Sequence, residues 1–196
     1  MTCVIGMIDK ENNKGYIAAD TFGSNDFSGQ NYVNNKIFKS IDSPDILIGV
    51  SGSFRIMELL EFNSIFPEDI FLKKTPITRQ LLVNRVIPKI KKLLEDNKAA
   101  SYKDLGEDNF SSNILIVTKD SVFKIQANYA VLETSLPYAS IGSGKNFALG
   151  SLYSTTDSNI EDQIKIALKS AEKFQLNVKG PFKILNTEND EIITFD

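Results

Sequence analysis

The feature that most restricts the fold is the order in which hydrophobic periodicity changes along the chain. β-type runs come first, then helical spacing, then β-type runs, then helical spacing again, and β-type runs close the chain. A parallel sheet with crossover helices demands strict alternation of strand and helix, whereas this clustering predicts antiparallel sheets with helices on their outer faces. The expected fold class is therefore α+β: a four-layer αββα sandwich of two antiparallel sheets flanked by helix pairs.

In detail, Thr2 to Asp9 reads as a strand, and after the polar turn Lys10 to Lys14 a second apolar run, Tyr16 to Ala19, ends at Asp20. The two predict a hairpin. Thr21 to Asn35, rich in Gly, Ser and Asn, predicts a surface loop, and Lys36 to Ile41 and Asp45 to Ser51 predict strands around the turn Asp42-Ser43-Pro44. Gly52 and Ser53 punctuate the end of that fourth strand, after which Ile56, Met57, Leu59 and Leu60 carry helical spacing towards Asn63. Thr78 to Asn97 places Leu82, Val86, Ile90, Leu93 and Leu94 on one face of an amphipathic helix, kinked at Pro88 because proline has no amide donor. Asn113 to Thr118, Ser121 to Gln126, Tyr129 to Glu133 and Tyr138 to Ile141 predict four more strands. Lys145 to Ser154 reads as a helix, Ile160, Ile164, Ala167, Leu168 and Ala171 mark another capped near Asn159, and Phe182 to Asn186 and Ile192 to Phe195 end the chain as strands. No linker or convincing repeat divides the 196 residues, so one domain covering 1–196 is expected.

Composition then removes whole classes of function. A net charge of -3 leaves no basic excess for neutralising phosphates, so no nucleic-acid partner is expected. No segment approaches the roughly 20 apolar residues that span a bilayer, and no export signal opens the chain, which predicts no membrane association and a cytoplasmic location. Cys3 is the sole cysteine, so no internal disulfide and no cysteine-held metal can form; no metal or cofactor is expected. The chain has no histidine, which excludes Ser-His, Cys-His and His-metal mechanisms. An enzyme built from it needs a carboxylate, a lysine with a lowered pKa, or its own α-amine, whose ordinary pKa of about 7.7 to 8.0 suits a general base.

Five segments carry a resemblance: Met-Thr-Cys-Val-Ile-Gly at the start, Ile-Ala-Ala-Asp ending the second strand, Asn-Lys-Ile-Phe-Lys-Ser-Ile, Gly-Val-Ser-Gly-Ser, and Ile-Gly-Ser-Gly. In this layout they resemble the proteasome β subunits and the bacterial HslV peptidase, of the N-terminal-nucleophile (Ntn) hydrolase superfamily, over nearly the whole chain. The resemblance implies Thr2 as nucleophile after removal of Met1, its freed amine taking the hydroxyl proton. It implies Asp20 as the carboxylate that orients a lysine, and Lys36 as that lysine, with Lys39 a weaker alternative. Lys36 would lower the nucleophile's pKa and stabilise developing charge. It further implies Gly52 as an oxyanion donor, Val50 as a lining of the pocket for the residue before the cut, and Ser143 as a proton relay near the amine.

Each residue also has a plainer reading. A threonine after an initiator methionine is ordinary, Asp20 and Lys36 can be a hairpin-end aspartate and a solvated lysine, Gly52 can merely end a strand, and Ser143 can cap the Lys145 helix. Gly142-Ser143-Gly144-Lys145 has the look of a phosphate loop, but Ala139 stands where its first glycine belongs and Asn146 where Ser or Thr should bind magnesium. Cys3 belongs to the core, since alternation turns it to the face opposite Thr2. The chain departs from the family at Lys173-Phe174-Gln175-Leu176-Asn177, where an aspartate and a nearby serine or threonine are usual; Glu172 and Asn177 are the nearest substitutes.

The implied function is a threonine-type peptidase subunit that cleaves peptides or unfolded proteins inside a self-compartmentalised homo-oligomeric ring, with an ATP-dependent unfoldase as a candidate partner. The alternatives are a catalytically silent proteasome-like scaffold subunit and an Ntn amidohydrolase acting on a non-peptide amide.

Overall fold

The first hairpin sets the frame. β1 (Cys3–Asp9) and β2 (Lys14–Asp20) pair antiparallel from Val4 opposite Ala19 to Asp9 opposite Lys14. Asp9 shapes the turn, its carboxylate accepting the amides of Glu11 and Asn12 at 3.1 and 3.0 Å. This computed structural model describes residues 2–24, 31–33, 35–102, 108–156 and 158–196.

β12 (Tyr138–Gly142) adds to one side of the hairpin, and β13 (Phe182–Asn186) and then β14 (Ile193–Phe195) to the other, giving a sheet in the order β12-β1-β2-β13-β14. The second sheet runs β11-β10-β9-β6-β5. Its strands are β5 (Ile37–Ser40), β6 (Ser43–Gly52), β9 (Ser112–Val117), β10 (Val122–Ile125) and β11 (Val131–Glu133). Every pairing in both sheets is antiparallel, as the clustering of elements predicts.

Within the expected loop at 21–35 the structure corrects the sequence reading: β3 (Phe22–Ser24) pairs with β4 (Asn31–Val33), while residues 25–30 and 34 lie outside the described residues. The ladder of β7 (Ser101–Tyr102) with β8 (Asp108–Asn109) and the helix α2 (Glu68–Leu72) were likewise not expected. β7 and β8, two residues each, are too short to display a hydrophobic period.

The longer helices follow the pattern. α1 (Phe54–Glu61) buries Ile56, Met57, Leu59 and Leu60. Helical structure from α3 (Arg79–Leu81) passes through a π-helical turn (Leu82–Val86) into α4 (Ile87–Asp96), burying Leu82, Val86, Ile90 and Leu94. The disturbance expected from Pro88 takes the form of that π turn, in which the Ile87 amide reaches back to the Leu82 carbonyl. α5 (Lys145–Ser154) and α6 (Ile160–Phe174) form the other pair, and the Asn159 side chain caps α6 by accepting the Asp162 amide at 2.9 Å.

Alternation along the strands divides the apolar side chains into three layers of core. Ile48 and Val50 pack with α1 and α4; Cys3, Ile5 and Met7 pack with α5 and α6; Val4, Ile17, Ile37, Leu47, Leu115 and Ile141 meet between the sheets. Gly49 lets the sheets come close, since a Cβ there would lie 2.6 Å from Val4 Cγ1 and 2.7 Å from Ile17 Cδ1. Gly49→Val should therefore overpack the inter-sheet layer and cost about 1–3 kcal/mol, read as a lower urea midpoint at unchanged slope.

Candidate active site

At the end of β2, Asp20 stands beside Cys3 of β1 on one side and opposite Phe182 of β13 on the other. Its carboxylate has no exposed surface. One oxygen accepts the Cys3 amide at 2.8 Å and the other accepts the Lys36 ammonium at 2.7 Å. Lys36 is itself among the largest fully buried side chains, and its Nζ also donates to the Phe22 carbonyl at 2.7 Å. The reading of Lys36 as a solvated surface lysine therefore does not hold.

Burial pushes the Asp20 carboxyl up, against the Lys36 charge and the hydrogen bonds from Lys36 and the Cys3 amide. It pushes the Lys36 ammonium down, against the attraction of Asp20. A dry pair opposed in this way has little water to screen its field, so the Lys36 charge acts strongly on whatever lies nearby. The Cys3 thiol is pushed up to about 12, first by burial and then by the Asp20 charge. It stays protonated, faces the α5–α6 core and is no nucleophile.

Thr2 precedes the Cys3 amide that Asp20 holds, and only 4% of its surface is exposed. The turn from β12 into α5 clasps its backbone: the Gly144 amide donates to the Thr2 carbonyl at 3.2 Å, and Ser143 Oγ lies 3.4 Å from both the Thr2 nitrogen and the Thr2 carbonyl oxygen. This approach depends on Gly142, whose φ is +92° and whose Cβ, if present, would sit 2.1 Å from the Thr2 carbonyl. Its role was missed by sequence reasoning, although the Gly-Ser-Gly spelling was the available signal. Met1 lies outside the described residues.

Gly52 is exposed at the end of β6 with φ +124°, and a Cβ there would lie 2.2 Å from the Ser111 carbonyl. The next amide, that of Ser53, is fixed by Ser112 Oγ at 3.0 Å. Val50 is completely buried in the α1–α4 core, and its amide donates to the Lys36 carbonyl at 2.9 Å. Lys39 lies away from the group, bonded to Asp190 at 2.8 Å and to the Asn189 carbonyl at 2.7 Å. Glu172 is engaged by Lys169 and by the Gly180 amide at 3.2 Å. Among the described residues no cluster of three His, Cys, Asp or Glu side chains could hold a metal ion, and no helix is long and apolar enough to cross a membrane.

The structure thus brings Thr2, Asp20, Lys36 and Ser143 into one connected group, in which Asp20 links Lys36 to the peptide that follows Thr2. No family model matches the chain, and no curated protein does. Among solved structures it is similar to BPH of Thiobacillus denitrificans in complex with epoxomicin, at 21% identity and TM-score 0.68, covering 94% of this chain and 97% of that one. It is similar to eukaryotic HslV of Trypanosoma brucei at 15% identity and TM-score 0.66, over 94% and 98% of the two chains. It is also similar to Anbu, an ancestral β-subunit, of Yersinia bercovieri at 12% identity and TM-score 0.66, over 98% and 86%. The fold is therefore the proteasome-like Ntn-hydrolase fold that the resemblance in sequence implied.

Removing one member of the buried pair should cost far more than removing both. Asp20→Ala leaves the Lys36 charge uncompensated and should lower stability by about 3–5 kcal/mol in urea titrations. The double variant Asp20→Ala with Lys36→Met, compared with each single variant, should recover a large part of that loss, as the coupling in a double-mutant cycle.

Proposed function

We propose that the chain is a threonine-type N-terminal-nucleophile peptidase whose Thr2 acts after Met1 is removed. The observation that carries this reading is the buried Asp20–Lys36 pair, tied through the Cys3 amide to Thr2 in a chain that has no histidine. The likeness to HslV and to BPH, found in complex with epoxomicin, supports it.

In this reaction the freed Thr2 amine takes the proton from Thr2 Oγ, directly or through a water held by Ser143, as Oγ attacks the peptide carbonyl carbon. Lys36 favours the developing alkoxide by its charge, and the Gly52 amide donates to the oxyanion. The carbon–nitrogen bond then breaks, the leaving nitrogen collects the proton held on the Thr2 amine, and an ester on Oγ remains. Water, deprotonated by the same amine, hydrolyses that ester and restores the hydroxyl. Asp20 does not touch the substrate; it positions Lys36.

One domain covering 1–196, peptide or unfolded-protein substrates, a homo-oligomeric ring that encloses the sites, an ATP-dependent unfoldase partner and a cytosolic location complete the proposal. The fold of HslV-type structures supports the ring. A second reading, a silent scaffold subunit of the same fold, is favoured by one observation. The stretch Lys173 to Asn177 supplies no aspartate, and the neighbouring Glu172 is bound to Lys169 and Gly180.

Mass spectrometry of protein from its native cell should find Thr2 at the N-terminus, and epoxomicin should add covalently to that residue. Thr2→Ala should lose the adduct and lower kcat by at least about a hundredfold, while Thr2→Ser retains both in part. A retained Met1 with no adduct leaves the scaffold as the surviving reading.

A further inference from the structure

The inner face of the second sheet changes character at the end where Thr2 lies. Along β6 and β9, Leu47, Leu115 and Val117 face the other sheet and are apolar, but beyond the Gly49–Leu115 pair that face continues with Ser51 and Asn113, which stand opposite each other. On β10, Val122 faces the same layer, and two residues on, opposite Leu115, stands Lys124. β12 packs across β9 and β10, so these polar groups meet the strand that delivers Ser143 to Thr2, with Lys145 two residues beyond.

None of these side chains is committed elsewhere. Among the described residues neither the Ser51 hydroxyl nor the Asn113 amide makes a hydrogen bond, and since no buried side-chain polar atom there lacks a partner, both keep some accessible surface. Lys124 and Lys145 form no ion pair among those residues, although the chain holds more acidic than basic side chains. Lys145 opens α5 just after β12, the strand that packs against the β10 carrying Lys124, and burial together with the Lys145 charge holds the Lys124 ammonium down. An anion between them would relieve that repulsion and use the hydroxyl and amide as well.

The chemistry decides which part of a substrate reaches this place. The leaving nitrogen must lie beside its proton donor, the Thr2 amine, and that amine is flanked by Ser143. The Asp20–Lys36 pair, tied to the Cys3 amide, has no exposed surface to offer a substrate. A released fragment that leaves past Ser143 would meet Lys145, two residues on, and the β10 strand that carries Lys124.

We propose that Lys124 and Lys145, with Ser51 and Asn113, form a subsite on the leaving side of Thr2 that binds a carboxylate on the first residue released. The inference rests on Thr2 being the nucleophile. Such a carboxylate comes either from an acidic side chain or, when one residue is released, from its free α-carboxyl group.

The test uses internally quenched peptides that differ only after the cut, with the native, Met1-trimmed protein. Amidated peptides with Glu there should be cleaved about fivefold more efficiently than those with Gln at low salt, a ratio that shrinks towards one in about 0.5 M salt. Lys124→Met should bring the ratio close to one, and Lys124→Glu should turn it in favour of Lys, a reversal that loss of packing alone does not produce. For peptides releasing a single neutral residue, a preference for the free acid over the amide identifies the α-carboxyl group as the source. Epoxomicin labelling of wild-type Thr2 separates the two failures. With labelling present, the absence of both carboxylate preferences, or a Glu/Gln ratio unchanged by Lys124→Met, overturns the subsite alone; no labelling overturns the nucleophile reading and the subsite together.

Discussion

A single buried ion pair joins the parts of this molecule that must coincide for it to do chemistry. Asp20 closes β2, Lys36 precedes β5 in the other sheet, and the amide that Asp20 holds belongs to the first residue of β1. Two charges out of water are costly, and a 2.7 Å contact offsets that cost only when every remaining lone pair and proton is also used. Here the second carboxylate oxygen takes the Cys3 amide and the ammonium takes the Phe22 carbonyl. The pair thus fixes the start of the chain relative to both sheets, something an apolar contact of equal volume would do with less angular precision.

Glycines supply the complementary constraint. Gly49 lets the sheets approach, Gly142 lets the β12–α5 turn close over the Thr2 carbonyl, and Gly52 turns the end of β6 outwards. The last two have positive φ, a conformation that side-chain-bearing residues adopt at a cost. Thr2 is consequently held by its backbone from β12, while its neighbour is held from β2, and its own side chain is left for other work.

Without imidazole, any acid–base chemistry in this chain would have to come from groups of less convenient pKa. Burial lowers a lysine and raises an aspartate, and the α-amine of a trimmed chain begins near neutrality. Peptide hydrolysis by Thr2 and silence as a scaffold share this architecture; they differ in whether the amine at residue 2 is free.

Sequence alone determined the architecture, because hydrophobic period is a local property that each long element carries. β1, β2, β5, β6, β9 to β14, the Asn159 cap and the two principal helix pairs were legible in this way, whereas β3 and β4 were hidden in a Gly-, Ser- and Asn-rich stretch, β7 and β8 are two residues each, and α2 was not expected. Of the candidate site, residue types and order made Thr2, Asp20, Lys36 and Ser143 worth naming through their resemblance to a known pattern. Only tertiary structure could decide that Lys36 is buried on Asp20 while Lys39 turns to Asp190, that Val50 is sealed in the helix-side core, and that Gly142 must be glycine. The physical reason is that pairing and close approach depend on distances between residues far apart in the chain, and no local pattern encodes which of two lysines a carboxylate will meet.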